Sequence, residues 1–175
     1  MKKSNELEKD AALDIGQFMS AAARTAPKSR GIDNIEIVAV EDEATKKRLI
    51  EKMREIAKQE SRPTFERDAN CIVNSPMIIV VGVRSNPSGL NCGFCGSPTC
   101  EELKKKGGIC AYNSIDLGIA VGSAVALASR FHIDNRVMYS MGRASMDLKL
   151  FTNDVKQALG VPLSVTGKNP FFDRK

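Results

Sequence analysis

Four of the five cysteines lie within 19 residues, in the stretch NCGFCGSPTCEELKKKGGIC, spaced C-x2-C-x4-C-x9-C over Cys92, Cys95, Cys100 and Cys110. Thiolates are soft ligands, and both iron–sulfur clusters and structural zinc take four of them. Ligands close in sequence lose little chain entropy when such a site closes. Typical zinc ribbons pair two C-x2-C knuckles, whereas this stretch has one. The spacing therefore favours an iron–sulfur cluster, [4Fe–4S], over Zn(Cys)4, with unligated thiols as the third reading. Gly93 and Gly96 follow the first two cysteines, where amides unobstructed by side chains can turn toward sulfur and help set a reduction potential. Pro98 and Thr99 would open a short helix that places the Cys100 thiolate at a helix N-terminus, which favours anionic sulfur. Lys104, Lys105 and Lys106 could offset the charge of a cluster, although a solvated helix end accounts for them as well.

Other chemistry-bearing residues are sparse. Cys71 stands among apolar neighbours and reads as a small buried hydrophobe rather than a ligand. His132 is the single histidine of the sequence and falls at the end of a predicted helix, which suits a surface or capping residue. Ser-His-Asp hydrolysis would depend wholly on it, and no nucleophile elbow is present. Arg24, Lys28 and Arg30 surround Pro27 and could meet a phosphate; solvated charges are the plainer account.

Composition narrows the class. The net charge of +5 would fall to about +3 with four thiolates around a cluster core of roughly +2. Basic residues are dispersed among acids and Trp is absent, so the basic stripe with interleaved aromatics that nucleic-acid binding favours is not seen. The start, MKKSNELEKD, turns polar at once and lacks an apolar leader segment. The longest apolar run, 117–128, is rich in Gly and Ala and short for a membrane span. The expectation is a cytoplasmic protein with reduced thiols, neither membrane-bound nor nucleic-acid-binding.

The elements that must position the cysteines follow from periodicity. Ala11, Ala12, Ile15, Phe18, Met19 and Ala22 give an apolar stripe for a helix over 5–26, punctuated by Pro27 and Gly31. IEIVAV at 35–40 predicts a strand, and the acidic residues after it suit the start of a helix to about Lys58 that buries Leu49, Ile50, Met53, Ile56 and Ala57. A short helix is expected within 64–74. The continuous apolar run 77–83 predicts a strand buried on both faces, and 84–96 a loop. Further expectations are a short helix over 99–106, a long one over 112–131, a strand at 137–140, a helix near 153–159 and a tail from Pro162 without regular period. Gly118, Gly122, Ala120, Ala124 and Ala128 would allow another helix to approach the long one closely, within the chain or across a homodimer. The tail aromatics Phe171 and Phe172 are expected to dock on the body or on a second copy, between polar Lys168, Asn169, Arg174 and Lys175. Strands mixed with helices without strict alternation indicate α+β: one domain over 1–175, with a cluster-binding module inserted at 84–112.

The segment from Asn91 to Cys100 resembles the N-C-G-x-C-G-x-P-T-C signature of a [4Fe–4S] module found in corrinoid iron–sulfur proteins and in electron-transfer subunits of anaerobes. The gap before Cys110 is shorter here than that module commonly has. AARTAPKSRG (22–31), the cysteine motif, DLGIAVGSAVALAS (116–129) and GKNPFFDR (167–174) make the whole chain similar to a family of prokaryotic ferredoxin-domain-containing proteins. A more distant similarity is to nitroreductase-like flavoproteins: a helix ending in A-P, a strand, an acidic turn and helix, and a small-residue helix central to an interlocked dimer. That resemblance implies a mixed sheet flanked by helices and FMN at a dimer interface, with Arg24, Lys28 and Arg30 as its phosphate contacts. It departs from the pattern in lacking the Arg-rich N-terminal segment, and Lys28 stands where Ser is frequent. Together the resemblances imply an electron-transfer protein serving a redox partner protein or a small-molecule acceptor. If the chain is an enzyme, it would be an oxidoreductase.

Overall fold

The computed structural model describes residues 1–152 and 154–172. Its elements in chain order are α1 (Ser4–Thr25), a 3-10 turn (Ser29–Gly31), β1 (Ile35–Val40), α2 (Glu43–Gln59), α3 (Pro63–Cys71) and β2 (Met77–Arg84). They continue with α4 (Cys100–Lys105), α5 (Ala111–Arg130), β3 (Asp134–Asn135), α6 (Tyr139–Asp147) and β4 (Val155–Ser164). Among the described residues the strands form one sheet in the order β1-β2-β4-β3, with every neighbouring pair antiparallel.

β2 is the spine. Residues 77–83 are all buried because the sheet is covered on both faces. Met77, Ile79, Val81 and Val83 face a core layer with α1 and α5, while Ile78 and Val80 face a second layer with α2, α3 and α6. In the first layer the small Ala12 and Ala23 of α1, with the larger Met19 between them, belong to one buried cluster with Ala120, Ala124 and Ala128 of α5. In the second, Leu49, Met53 and Phe65 are fully buried, and Asp42 caps α2 by accepting the Thr45 amide at 2.7 Å. Gly142 brings α6 onto β4 so tightly that a Cβ there would overlap the Ala158 carbonyl.

Several expectations are corrected. The segment expected to be helical near 153–159 is a strand from Val155; Asn153 lies outside the described residues. Its helix-forming Lys156, Gln157, Ala158 and Leu159 are overridden by pairing with the unsatisfied edge of β2, from Met77↔Leu163 to Arg84↔Val155. The expected strand at 137–140 is reduced to a bridge between Met138 and Gly160, and α6 begins at Tyr139. On α1, Ala11 and Phe18 face solvent, and Gly16 and Ala23 take places in the buried stripe. The tail is less irregular than expected, since residues 162–164 complete β4. Phe171 is buried against the body, Phe172 lies under the Arg136 guanidinium at 5.2 Å, and Asn169 Nδ2 donates to Asp134 at 2.9 Å. Arg174 and Lys175 lie outside the described residues.

Among the described residues one helix, α5, is long and apolar enough to cross a membrane. Leu117, Ala120, Val121, Ala124 and Ala128 of that helix belong to the core layer with α1, which accounts for its apolar character.

Candidate metal centre

The chain leaves β2 at Arg84 and reaches α5 at Ala111, and all four clustered cysteines lie on this connection. Its two limbs are fastened together. The Ser85 hydroxyl donates to the Gly108 carbonyl at 3.0 Å, and the Asn86 N–H donates to Asn113 Oδ1 at 3.0 Å. Phe94 stacks on Tyr112 with ring centroids 5.8 Å apart and planes at 18°, bringing the C-x2-C turn onto the first turn of α5. Arg30 Nη1 donates to the Ser88 carbonyl at 2.6 Å, tying the loop to the turn after α1.

Each cysteine has its own setting. Cys92 is exposed and Cys95 half-buried, on a turn closed by the Gly96 N–H donating to the Gly93 carbonyl at 2.8 Å. Gly93 and Gly96 hold φ of +75° and +78°, the left-handed region that a side chain would strain. The Gly96 amide is thus spent on its own turn rather than on sulfur, contrary to the expectation for that residue. Cys100 opens α4, whose N-cap Thr99 accepts the Glu102 amide at 3.2 Å. The Asn91 N–H donates to Cys100 Sγ at 3.4 Å while Asn91 Oδ1 accepts the Cys100 N–H at 2.8 Å, a reciprocal clamp. Cys110 is the N-cap residue of α5 and is buried, with the Ser88 hydroxyl 3.8 Å from its sulfur. Burial acts to raise its pKa, but hydrogen bonds from Ser88 and from the Tyr112 and Asn113 amides outweigh burial and hold the thiol below its ordinary value.

All four thiols are free. Among the described residues no three His, Cys, Asp or Glu side chains are gathered tightly enough to hold one metal ion. A zinc cage with Zn–S bonds near 2.3 Å would set its sulfurs about 3.8 Å apart, whereas a cubane spreads four thiolates around four irons. The loop is therefore not a ready-made single-ion cage, and binding would draw it in. One observation fits a cluster: a donor set of thiols alone. Asn113 Nδ2, on the first turn of α5, is buried without a hydrogen-bond partner in the protein. Leaving such a donor unmet costs about 1–3 kcal/mol. Ser88 and Asn113 were not singled out by sequence; Asn91 headed the cysteine signature without a role of its own, and it is a residue type that tolerates its φ of +49° immediately before Cys92.

The three cations assigned to a flavin phosphate are engaged within the protein. Arg24 donates to Asp33 and to the Ile35 carbonyl, Lys28 to the carbonyls of Ala23, Arg24 and Ala26 at the end of α1, and Arg30 to Ser88. Lys105 pairs with Glu101 at 2.8 Å on exposed α4. His132 is exposed with φ +57° just after α5, and Cys71 ends α3, half-buried against the second core layer, where burial raises its pKa and Asp68 adds to the effect.

Comparison with known proteins adds the family. The chain is 43% identical over 179 residues to an uncharacterized protein of Archaeoglobus fulgidus, covering 97% of this chain and 93% of that one. Residues 106–174 match the family described as "Uncharacterized protein containing a ferredoxin domain (DUF2148)", a span that includes Cys110. The fold matches a nitroreductase with bound FMN from Desulfitobacterium hafniense DCB-2 at TM-score 0.63 and 14% identity, over 96% of this chain and 80% of that one. It also matches a BluB-like flavoprotein from Clostridium difficile 630 at TM-score 0.62 and 17% identity, over 89% and 81%. At those identities the likeness is one of architecture, and it bears out the nitroreductase-like α+β expectation. The chain belongs to the ferredoxin-domain family and is a redox-related protein on a nitroreductase-like fold.

Proposed function

We propose that this chain is an electron-transfer protein that binds a [4Fe–4S] cluster through Cys92, Cys95, Cys100 and Cys110. The observation that carries the reading is the folded-back connection between β2 and α5. Four free thiols sit on one pinned loop, with Asn91 clamped to Cys100 and Phe94 stacked beside Cys110's helix. When bound, the cluster supplies one-electron storage at a potential set by its surroundings. The chain's own residues do the rest. The thiols bind, the Asn91 amide steadies Cys100, and the donors around Cys110 favour its thiolate. Exposure of Cys92 and Phe94 leaves one side of the site open to a redox partner protein or a small-molecule acceptor. The reading places the protein in a reducing cytoplasm. A homodimer is proposed through the exposed side of α5, where Ile115, Gly118, Ile119 and Gly122 face outward.

Anaerobically purified protein is expected to absorb broadly near about 400 nm and to bleach with dithionite. Alanine at Cys92, Cys95, Cys100 or Cys110 should each diminish that band, and Cys71→Ala should leave it intact. A band insensitive to all four changes would overturn the ligand assignment.

A second reading is an FMN-dependent, nitroreductase-like oxidoreductase. It is favoured by a cleft of about 400 Å³ beside α5, lined by Leu117, Gly118, Tyr139, Arg143 and Leu159, on a fold whose relatives include proteins with bound FMN. Acid precipitation separates the two, because FMN released into the supernatant fluoresces and an iron–sulfur cluster leaves none.

A further inference from the structure

We propose that the cleft between α3 and the end of β4 is a second binding site, which takes a neutral, planar nitrogen heterocycle of nucleoside size. This goes beyond the cluster reading and does not rest on it. Met77 of β2 pairs with Leu163 of β4, which brings Asn74 and Ser75, between α3 and β2, beside Ser164 and Thr166. The cleft they line encloses about 810 Å³, within the range of about 300–1,000 Å³ that small-molecule sites occupy. It lies at the opposite end of β2 from the cysteine loop, about 24 Å away at a rise of about 3.4 Å per residue. Ser75 is 2% exposed. Its N–H donates to the Ile72 carbonyl at 3.1 Å, and its carbonyl accepts the Lys46 ammonium at 3.0 Å, so its backbone is satisfied. Its Oγ is buried with no hydrogen-bond partner among the described residues. A buried hydroxyl left so calls for a partner that the protein atoms do not supply.

The lining says what kind of partner. Its charged residues are already paired, Arg67 with Asp68 at 2.8 Å and Glu66 with Arg54 at 3.3 Å. An ionised ligand would find no uncompensated charge there, which favours a neutral one. Cys71 adds an uncharged wall, because burial and then Asp68 raise its thiol pKa. Hydrogen-bonding groups remain in both senses. Asn70 Oδ1 accepts from Arg54 Nη2 at 2.8 Å, which leaves Nδ2 as a donor. Thr166 Oγ1 donates to the Lys168 carbonyl at 2.7 Å, so in its 3.4 Å contact with Ser164 the Ser164 hydroxyl is the donor. Ser164 thereby offers lone pairs, and Ser75 offers both a proton and lone pairs. Pro63 and Pro170 contribute apolar ring surface. Arg67, held to Asp68 through Nε and Nη2, keeps the faces of its guanidinium for stacking. Flat surfaces with neutral donors and acceptors between them match a purine base with its sugar, whereas a phosphate would bring charge that the site does not answer.

The test titrates the whole chain with adenosine and with guanosine, followed by calorimetry. At least one of them is expected to bind saturably with Kd below about 1 mM, and its 5′-monophosphate about tenfold more weakly. Ser75→Ala is expected to weaken nucleoside binding about tenfold while leaving the thermal unfolding temperature unchanged or higher, since it removes an unmet buried hydroxyl. Asn70→Ala, at an exposed position, should weaken binding about fivefold, and it decides the matter if Ser75→Ala does not fold. In nuclear magnetic resonance spectra of 15N-labelled protein the bound nucleoside should shift the side-chain amides of Asn70 and Asn74. No saturable binding of either nucleoside, undiminished binding by folded Ser75→Ala, a monophosphate that binds as tightly as its nucleoside, or shifts confined to residues away from the cleft would each overturn the proposal. Iron and sulfide are measured on the same sample: iron-free protein that binds the nucleoside contradicts the cluster reading alone, and iron-loaded protein that binds neither nucleoside contradicts this site alone.

Discussion

Asn91 is the residue on which closure of the cysteine loop turns, and replacing it gives a graded result. Its Oδ1 accepts the first amide of α4 at 2.8 Å, and its backbone sits at φ +49°. Asn91→Ala removes the acceptor, which costs about 1 kcal/mol at a helix N-terminus. It also removes the short polar side chain whose local hydrogen bonding lets Asn tolerate the left-handed region, which costs about 1 kcal/mol more. Because the clamp holds Cys100 in place, the sum of about 2 kcal/mol falls on the loaded state and corresponds to roughly thirtyfold weaker retention of the cluster. Asn91→Gly relieves the backbone but not the lost acceptor, and should fall between. Asn91→Asp keeps both features and should lie near the wild type. Iron release to a chelator under anaerobic conditions reads the series, with the expected order of rates Ala, Gly, then Asp and wild type together. Equal rates for Ala and wild type, or Gly slower than wild type, would refute the reasoning.

Three further outcomes follow from the packing and charges. Gly142→Ala should destabilise the fold by about 3 kcal/mol or more, since its Cβ would meet the Ala158 backbone, and thermal unfolding should show it. Gly118→Ala and Gly122→Ala meet no atom within 4 Å, so each should raise stability by up to about 1 kcal/mol as helix formers; a bulkier Gly118→Leu should lower the dimer fraction in light scattering if the α5 face pairs with a second copy. For Asp33, burial acts to raise the carboxyl pKa, but the Arg24 hydrogen bond, the Ile35 amide and the nearby charge of Arg24 and Lys28 prevail and lower it. A lowered folded-state pKa adds stability that is present above the ordinary carboxyl value near 3.9 and lost as pH falls through the folded value. Asp33→Asn should therefore melt lower at pH 7 and lose less on acidification below about pH 4 than the wild type does.

Much of the fold was legible because local and global preferences agree. The apolar run 77–83, the strand 35–40 and the stripe of Leu49, Ile50, Met53 and Ile56 each read correctly, since composition, period and burial point the same way. Where they conflict, tertiary structure decides. Residues 156–159 are helix formers by propensity, yet β2 needs a partner on its second edge, and that pairing is invisible in a local window. Tyr139 to Asp147 escaped notice as a helix because Gly142, costly in an isolated helix, is required by its close seat on β4. At the site, the cysteines announce themselves by type and spacing. The residues that fasten them are harder to read: Asn86 to Asn113 and Ser88 to Cys110 are contacts between separate segments that no period or motif records, and the Asn91–Cys100 clamp joins two residues of the signature by a contact the signature does not state.

The most direct measurement is iron, acid-labile sulfide and zinc content per chain in protein purified without oxygen, with the spectrum of the dithionite-reduced sample. The account predicts about four irons and four sulfides, little zinc, and a one-electron paramagnetic signal on reduction. One zinc per chain with no sulfide and no such signal would contradict it.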